Sequence, residues 1–101
     1  MPFTGALAMK NDTLYRRFWF EFELDTAFNF LPGIGLGCGV TAFDYDDAIK
    51  ILDEIIFSSI TRPPFRRVIE DVDIGTLDQG HVIPNMKAPV NRGVWFPLGY
   101  D

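Results

Sequence analysis

The amino-acid sequence predicts an α+β fold, a small two-layer sandwich with one amphipathic helix packed on a mainly antiparallel sheet of three or four strands. Two observations carry this prediction: aromatic residues alternate with polar ones early in the chain, and a wide apolar stripe of helical period follows near its middle. The 101 residues suit one domain, and a 48% hydrophobic content supplies one core. We expect residues 1–13 to form a flexible leader and residues 14–101 the domain, in the order β-β-α-β-loop-β.

The first predicted strand is Tyr15 to Leu24, with the sequence YRRFWFEFEL. One face carries Phe18, Phe20, Phe22 and Leu24, and the other carries Arg17, Trp19, Glu21 and Glu23. This period of two, with aromatic residues that favour sheets, predicts a half-buried strand. A second strand is predicted from Leu36 to Phe43, and the turn-forming residues between the two predict antiparallel neighbours.

The predicted helix starts at Asp44, a natural N-cap, with Asp47 three residues later in the position of a capping box. Its apolar stripe consists of Ala48, Ile49, Ile51, Leu52, Ile55 and Ile56. We expect the helix to end near Phe57 to Ser59. The run GVTAFDYDDAIKIL is similar in pattern to the strand-helix units of ferredoxin-like domains, a similarity of fold that implies no activity.

Two further strands complete the predicted sheet. Residues Phe65 to Ile74 are the candidate for a third strand, with a short helix over Arg66 to Val72 as the alternative. A long connection rich in Gly, Pro and Asn follows it. The last strand, Gly93 to Gly99, is predicted at an edge of the sheet because Pro97 cannot donate a ladder hydrogen bond.

Four glycines alternate with other residues in the run GIGLGCGV, from Gly33 to Val40. The spacing fits neither G-x-G-x-x-G nor a Walker loop, and the acidic helix start that follows would repel a phosphate. The glycines therefore predict a bare strand face that allows a bulge, a sharp twist or the close approach of an aromatic ring, for which ten phenylalanines are available. Cys38, between two of them, is predicted to be buried.

Composition excludes several classes of function. A net charge of −5 lacks the positive field that nucleic-acid binding needs, and no segment is long and apolar enough for a membrane span. One cysteine and one histidine exclude an internal disulfide and a Cys/His zinc site. We therefore expect a cytoplasmic protein without a metal or cofactor, and without a nucleic-acid or membrane partner.

His81, the single histidine, is the candidate catalytic residue, with Asp78 as its acidic neighbour. The alternative is a structural hydrogen-bonding role in a turn-rich loop. Asp78 also belongs to an acidic group with Glu70, Asp71 and Asp73, which lacks the spacing of a calcium loop and is predicted to be solvated.

The segment HVIPNMKAPVNRGVWFP is the strongest candidate for recognition, because Trp, Arg and Phe beside an irregular loop are typical of binding surfaces. Its predicted binding residues are Asn85, Asn91, Arg92, Trp95 and Phe96. The alternative is that Trp95 and Phe96 close the core while the asparagines form turns.

Two functions follow as hypotheses. The first is a non-enzymatic protein-binding module that recognises a partner protein or pairs with itself as a homodimer through an aromatic sheet face. An acidic immunity- or antitoxin-like protein that neutralises a basic partner is a specific version of it. The second is a small enzyme or ligand-binding protein that uses the loop around His81 and Arg92, and it predicts that these two side chains converge on one cavity.

Overall fold

The computed structural model describes residues 14–24 and 33–100 of the chain. Its strands are β1 (Arg16–Phe22), β2 (Cys38–Ala42), β3 (Phe65–Glu70) and β4 (Gly93–Phe96). They form one antiparallel sheet in the order β3-β1-β2-β4. One α-helix, α1 (Tyr45–Ile51), lies between β2 and β3 in the chain. The predicted leader, residues 1–13, lies outside the described residues.

The sheet confirms the α+β prediction. β1 and β2 are antiparallel neighbours, residues 65–70 form a strand and not a short helix, and β4 lies at an edge just before Pro97. The ferredoxin-like arrangement is not confirmed by this strand order. Within residues 14–24 and 33–100, no helix is long and apolar enough to cross a membrane.

Helix α1 begins as the sequence predicts. Asp44 is the N-cap, and its Oδ1 accepts a hydrogen bond of 2.8 Å from the Asp47 N–H. After Ile51 the chain continues as a π-helix over Leu52–Ile56, and the Phe57 N–H donates to the Leu52 carbonyl at 3.0 Å. The buried side of this helix packs on the face of the sheet that carries Phe18, Phe20 and Phe22.

The opposite face of the sheet is also covered, which corrects the prediction that β1 is half-buried. Trp19, on that face, is only 2% exposed. It belongs to a second buried cluster with Val72, Leu77, Val82, Trp95 and Phe96. Residues 72–86, which contain the short 3₁₀ turns Ile74–Thr76 and Ile83–Asn85, provide this cover. The two-layer description therefore omits an irregular layer.

Two glycines of the run, Gly37 and Gly39, pack closely against aromatic rings, which is one of the alternatives that the sequence allows, and the rings are those of tryptophans. A Cβ at Gly39 would lie under 3.0 Å from three atoms of the Trp95 ring, and one at Gly37 would meet Trp19. The ring centroids of the two indoles lie 6.0 Å apart, and their planes are inclined by 29°. Cys38 is fully buried, as predicted, and burial raises the pKa of its thiol.

Candidate functional site

A cavity of about 570 Å³ opens where the C-terminal half of the helix meets the loop before β4. This volume falls within the range of roughly 300–1,000 Å³ that is usual for ligand pockets. We call it the Arg92 cavity, and it is lined by Ile51, Glu54, Ile55, Lys87, Ala88, Asn91, Arg92, Gly93, Val94, Trp95 and Tyr100.

The helical wall of the Arg92 cavity comes partly from the π-helix. Ile51, the last residue of α1, and Ile55 give this wall its apolar character, with Glu54 beside them. Ile55 is 38% exposed, although the helical period of the sequence assigns it to the core. A hydrogen bond from residue i to i+5 widens the turn and changes the direction of the side chains that follow, and such turns are frequent at functional sites.

The loop that forms the other wall is fixed to the sheet and to the helix. The Lys87 N–H donates to the Trp95 carbonyl at 2.9 Å, which covers the outer edge of β4. The buried hydroxyl of Thr41, on β2, donates to the Pro89 carbonyl at 2.8 Å. These bonds hold Asn91 and Arg92 opposite the helix.

Arg92 binds Asp47 side-on with two hydrogen bonds. Its Nε lies 2.9 Å from Asp47 Oδ2, and its Nη2 donates to Oδ1. Asp47 Oδ2 also accepts the Phe43 N–H at 3.0 Å, so one carboxylate closes the helix start and holds the loop. The hydrogen bond from Arg92 is the main reason that the pKa of Asp47 lies below its ordinary value, and the same bond raises the pKa of Arg92.

Three polar groups of the residues that line the Arg92 cavity have no hydrogen-bond partner in the described part of the protein, one of them buried and two on exposed residues. Among the described residues, the Trp95 indole N–H is buried and has no partner. Within the same ranges, Arg92 Nη1 and the Asn91 side-chain amide make no hydrogen bond, since Arg92 uses only Nε and Nη2. The donors of Arg92 and Asn91, both exposed residues, are therefore available to a bound molecule beside the apolar wall, whereas the Trp95 N–H is enclosed by the fold.

A second, more open groove of about 400 Å³ lies near the end of β4. We call it the His81 groove, and it is lined by Gly33, Leu36, His81, Asn85, Phe96, Pro97 and Leu98. His81 Nδ1 lies 3.2 Å from Asp78 Oδ1, and the same oxygen accepts the N–H groups of Gly80 and His81 at 2.8 Å. The His81 N–H is the main cause that lowers the pKa of Asp78.

These hydrogen bonds connect residues within one turn, from Asp78 to Asn85. The Asn85 side chain donates to the His81 carbonyl at 3.0 Å, so it too serves the loop that carries it. The side chain of His81 is 74% exposed. The structural hydrogen-bonding alternative for His81 thus has direct support in the Asp78 contacts.

The structure divides the predicted site residues between the two concavities. Asn91, Arg92 and Trp95 line the Arg92 cavity, whereas His81, Asn85 and Phe96 line the His81 groove. The enzyme hypothesis requires His81 and Arg92 to converge on one cavity. They line different concavities instead. Trp95 and Phe96 are 1% and 3% exposed, so both belong to the core, which was the alternative to a binding role. Each also lines one of the two concavities.

Several lining residues were not found from the sequence. Ile55 lies on the predicted apolar stripe but was assigned to the core, and Glu54, Lys87 and Tyr100 belong to no motif. The described residues contain no group of three or more His, Cys, Asp or Glu that could hold a metal ion. Glu70 and Asp71 instead bind Arg16 at 3.0 and 2.8 Å.

Comparisons of the chain with protein-family models, with curated proteins and with solved structures found no match. The two concavities, and above all the Arg92 cavity, are therefore the basis on which a function can be inferred.

Proposed function

We propose that this chain is a non-enzymatic binding module of the cytoplasm and that it binds a small, partly apolar ligand in the Arg92 cavity. The observation that carries the proposal is the lining of this cavity, where the exposed apolar side chain of Ile55 faces a loop with unused polar groups. Pockets that are mainly apolar with a few convergent polar groups are typical of ligand sites. The π-helical turn at the same place adds independent support.

Binding is favoured over acid–base catalysis because no histidine lines the Arg92 cavity. A general acid or base works best when its pKa lies near the working pH, and histidine is the side chain that most often meets this condition. The single histidine lines the other groove, where it contacts the Asp78 of its own turn. The unused N–H groups of Arg92 can donate hydrogen bonds to a ligand, but a guanidinium cannot take up a proton near neutral pH.

A titration with 8-anilinonaphthalene-1-sulfonate, followed by methyl NMR, tests the proposal. We expect the methyl signals of Ile51, Ile55 and Val94 to shift together, because these side chains form the apolar wall. The variant Ile55→Asp should weaken binding by about 10-fold or more, since it places a charge in an apolar contact.

Val90→Asp is the matched control, because Val90 is 57% exposed and is not part of the cavity lining. It should leave the affinity unchanged. Shifts confined to Leu36 and Leu98 would place the probe in the His81 groove and contradict the proposal. An Ile55→Asp variant that binds as well as the original chain would contradict it too.

A further inference from the structure

We infer that the ligand of the Arg92 cavity carries a carboxylate on an apolar body, and that the free edge of the Arg92 guanidinium binds this carboxylate with two parallel hydrogen bonds. This inference rests on the proposed function, and it adds the chemical class of the ligand and the residue that recognises its polar end.

The Arg92 guanidinium is held in one orientation by two neighbours. Its Nε and Nη2 donate to the two oxygens of Asp47, and its Cζ lies 5.9 Å from the centre of the Phe43 ring. Asp47 is fixed in turn, because its Oδ2 also accepts the Phe43 N–H at 3.0 Å. A guanidinium that the protein already orients loses little conformational freedom when it binds a further group.

The pairing with Asp47 leaves one edge of this guanidinium unused. Of the N–H groups of an arginine, Asp47 takes the one on Nε and one on Nη2. The second N–H of Nη2 and the two on Nη1 have no partner within residues 14–24 and 33–100. One N–H of Nη1 and one of Nη2 point the same way, and together they form the fork that a carboxylate accepts bidentately. Arg92 lines the cavity and its side chain is 38% exposed, so a bound molecule can reach this edge.

The shape of this fork favours a carboxylate over other polar groups. A carboxylate has two oxygens at the spacing of the two N–H groups, whereas an amide offers one carbonyl oxygen and an NH₂ group that can only donate. An ammonium group has no acceptor, and Arg92 would repel its charge. The Asn91 side chain, beside Arg92 on the cavity lining, can donate its amide N–H to the same carboxylate.

A net positive field is not what attracts the carboxylate. Lys87 and Arg92 are the cations of the lining and Glu54 is its anion, while Asp47 balances Arg92. These charges sum to zero, so recognition depends on the geometry of the fork. The apolar body of the ligand then covers Ile55, whose exposed surface is removed from water on binding.

Three probes of similar size test the inference: 4-phenylbutyrate, 4-phenylbutanamide and 4-phenylbutylamine. Each is titrated at pH 7 into the full chain, and methyl NMR follows Ile55 while ¹³C-detected NMR follows the arginine Cζ signals. We expect the carboxylate to shift Ile55 and the Arg92 Cζ signal, and to bind at least about 10-fold more tightly than the amide or the amine, the equivalent of one hydrogen bond to a charged group. The Cζ signal of Arg66, which pairs with Glu21 and does not line the cavity, should stay unchanged and serves as the internal reference.

The variant Arg92→Lys keeps the positive charge but removes the fork. It should weaken binding of the carboxylate by about 10-fold and binding of the amide by less than about 2-fold. Loss of a merely structural anchor would weaken both probes alike, so the ratio of the two affinities separates recognition from loop stability. Arg66→Lys is the matched control, since it removes a guanidinium from an ion pair outside the cavity lining, and it should change neither affinity.

Two outcomes on the original chain would overturn the inference alone, even where Arg92→Lys fails to fold. They are an amide that binds as tightly as the carboxylate, and an Arg92 Cζ signal that does not move while Ile55 does. A folded Arg92→Lys variant that weakens both probes equally would overturn it too, as would a carboxylate that leaves Ile55 unmoved where 8-anilinonaphthalene-1-sulfonate shifts it. If no probe moves Ile55, and 8-anilinonaphthalene-1-sulfonate does not either, the proposed function itself fails.

Discussion

Asp47 joins more parts of the molecule than any other described carboxylate. It accepts the Phe43 N–H, it lies in the first turn of α1, and it receives two hydrogen bonds from an arginine 45 residues away. Its side chain is only 14% exposed, so water screens these bonds less than at an open surface. Asp47 therefore helps to hold the wall of the Arg92 cavity opposite the helix, together with the backbone hydrogen bond of Lys87 and the hydroxyl of Thr41.

Asp47→Asn should lower the free energy of unfolding by about 1–3 kcal/mol at pH 7, because it weakens hydrogen bonds to a charged group. Urea unfolding measures the change. Asp46→Asn is the control: Asp46 is the exposed neighbour in the same helical turn, and its substitution should cost less than about 0.5 kcal/mol. Equal costs for the two variants would contradict this account of Asp47.

The same pair predicts a pH dependence. Arg92 lowers the pKa of Asp47 in the folded protein, so the folded state binds a proton at this carboxylate less readily than the unfolded chain does. The stabilisation is therefore fully present above the ordinary Asp pKa of about 4 and is lost as the pH falls through the lowered value. The stability gap between the original chain and Asp47→Asn should close in acid, and a gap that stays constant or widens below about pH 4 would rule this out.

Gly39 illustrates a close approach that admits no side chain. Gly39→Ala would place a methyl group against the buried Trp95 ring, which has little room to move, and should cost about 1–3 kcal/mol of overpacking. Gly35→Ala is the control, since a Cβ there meets nothing within 4 Å. Thermal unfolding compares the two, and a Gly39→Ala variant as stable as Gly35→Ala would show that the ring does not lie over the strand.

Among the elements, the irregular layer over residues 72–86 has the least sequence signal and a clear structural role. Val82, in this layer, is 1% exposed and packs in the cluster with Trp19 and Trp95. Val82→Ala should cost about 1–3 kcal/mol through lost burial and a residual cavity. Val90→Ala, the same change at a 57% exposed position, should cost almost nothing in denaturant unfolding. Similar losses for both would mean that the second face is open to water.

The sequence predicts the regular elements well because their periods are local. Alternation locates β1, and Asp44 with Asp47 locates the helix start. The same alternation wrongly leaves Trp19 half-exposed, because a period of two separates the faces of a strand without showing what covers them. The π-helix could not be predicted either, because the apolar stripe continues through it without a break in the sequence pattern. The wider π-helical turn changes the direction of the side chains, and Ile55 is exposed there.

The candidate site likewise contains one wall that local sequence patterns predict and one that they do not. Asn91, Arg92 and Trp95 were predicted as binding residues because their types cluster in one irregular segment, and they do line one cavity. The opposite wall could not be predicted, since contact between this loop and Ile55 depends on how the helix lies on the sheet. The Asp47–Arg92 pair likewise spans 45 residues and leaves no local pattern.

Over the whole molecule, much of the charge is balanced internally. Arg16, Arg62, Arg66 and Arg92 each form an ion pair with an acidic side chain. Within the described residues, three exposed acids of the helix and its N-cap form no such pair, and they outnumber its one lysine: Asp44, Asp46 and Glu54. An immunity- or antitoxin-like role and a homodimer both stay predictions, and a basic protein partner would contact this acidic side.

The proposal that the Arg92 cavity is a ligand site can be tested by intermolecular NOEs from bound 8-anilinonaphthalene-1-sulfonate. We expect NOEs from the aromatic protons of the probe to the methyl groups of Ile51, Ile55 and Val94, which form the apolar wall of that cavity. NOEs to Leu36 and Leu98 instead would place the ligand in the His81 groove and contradict the claim.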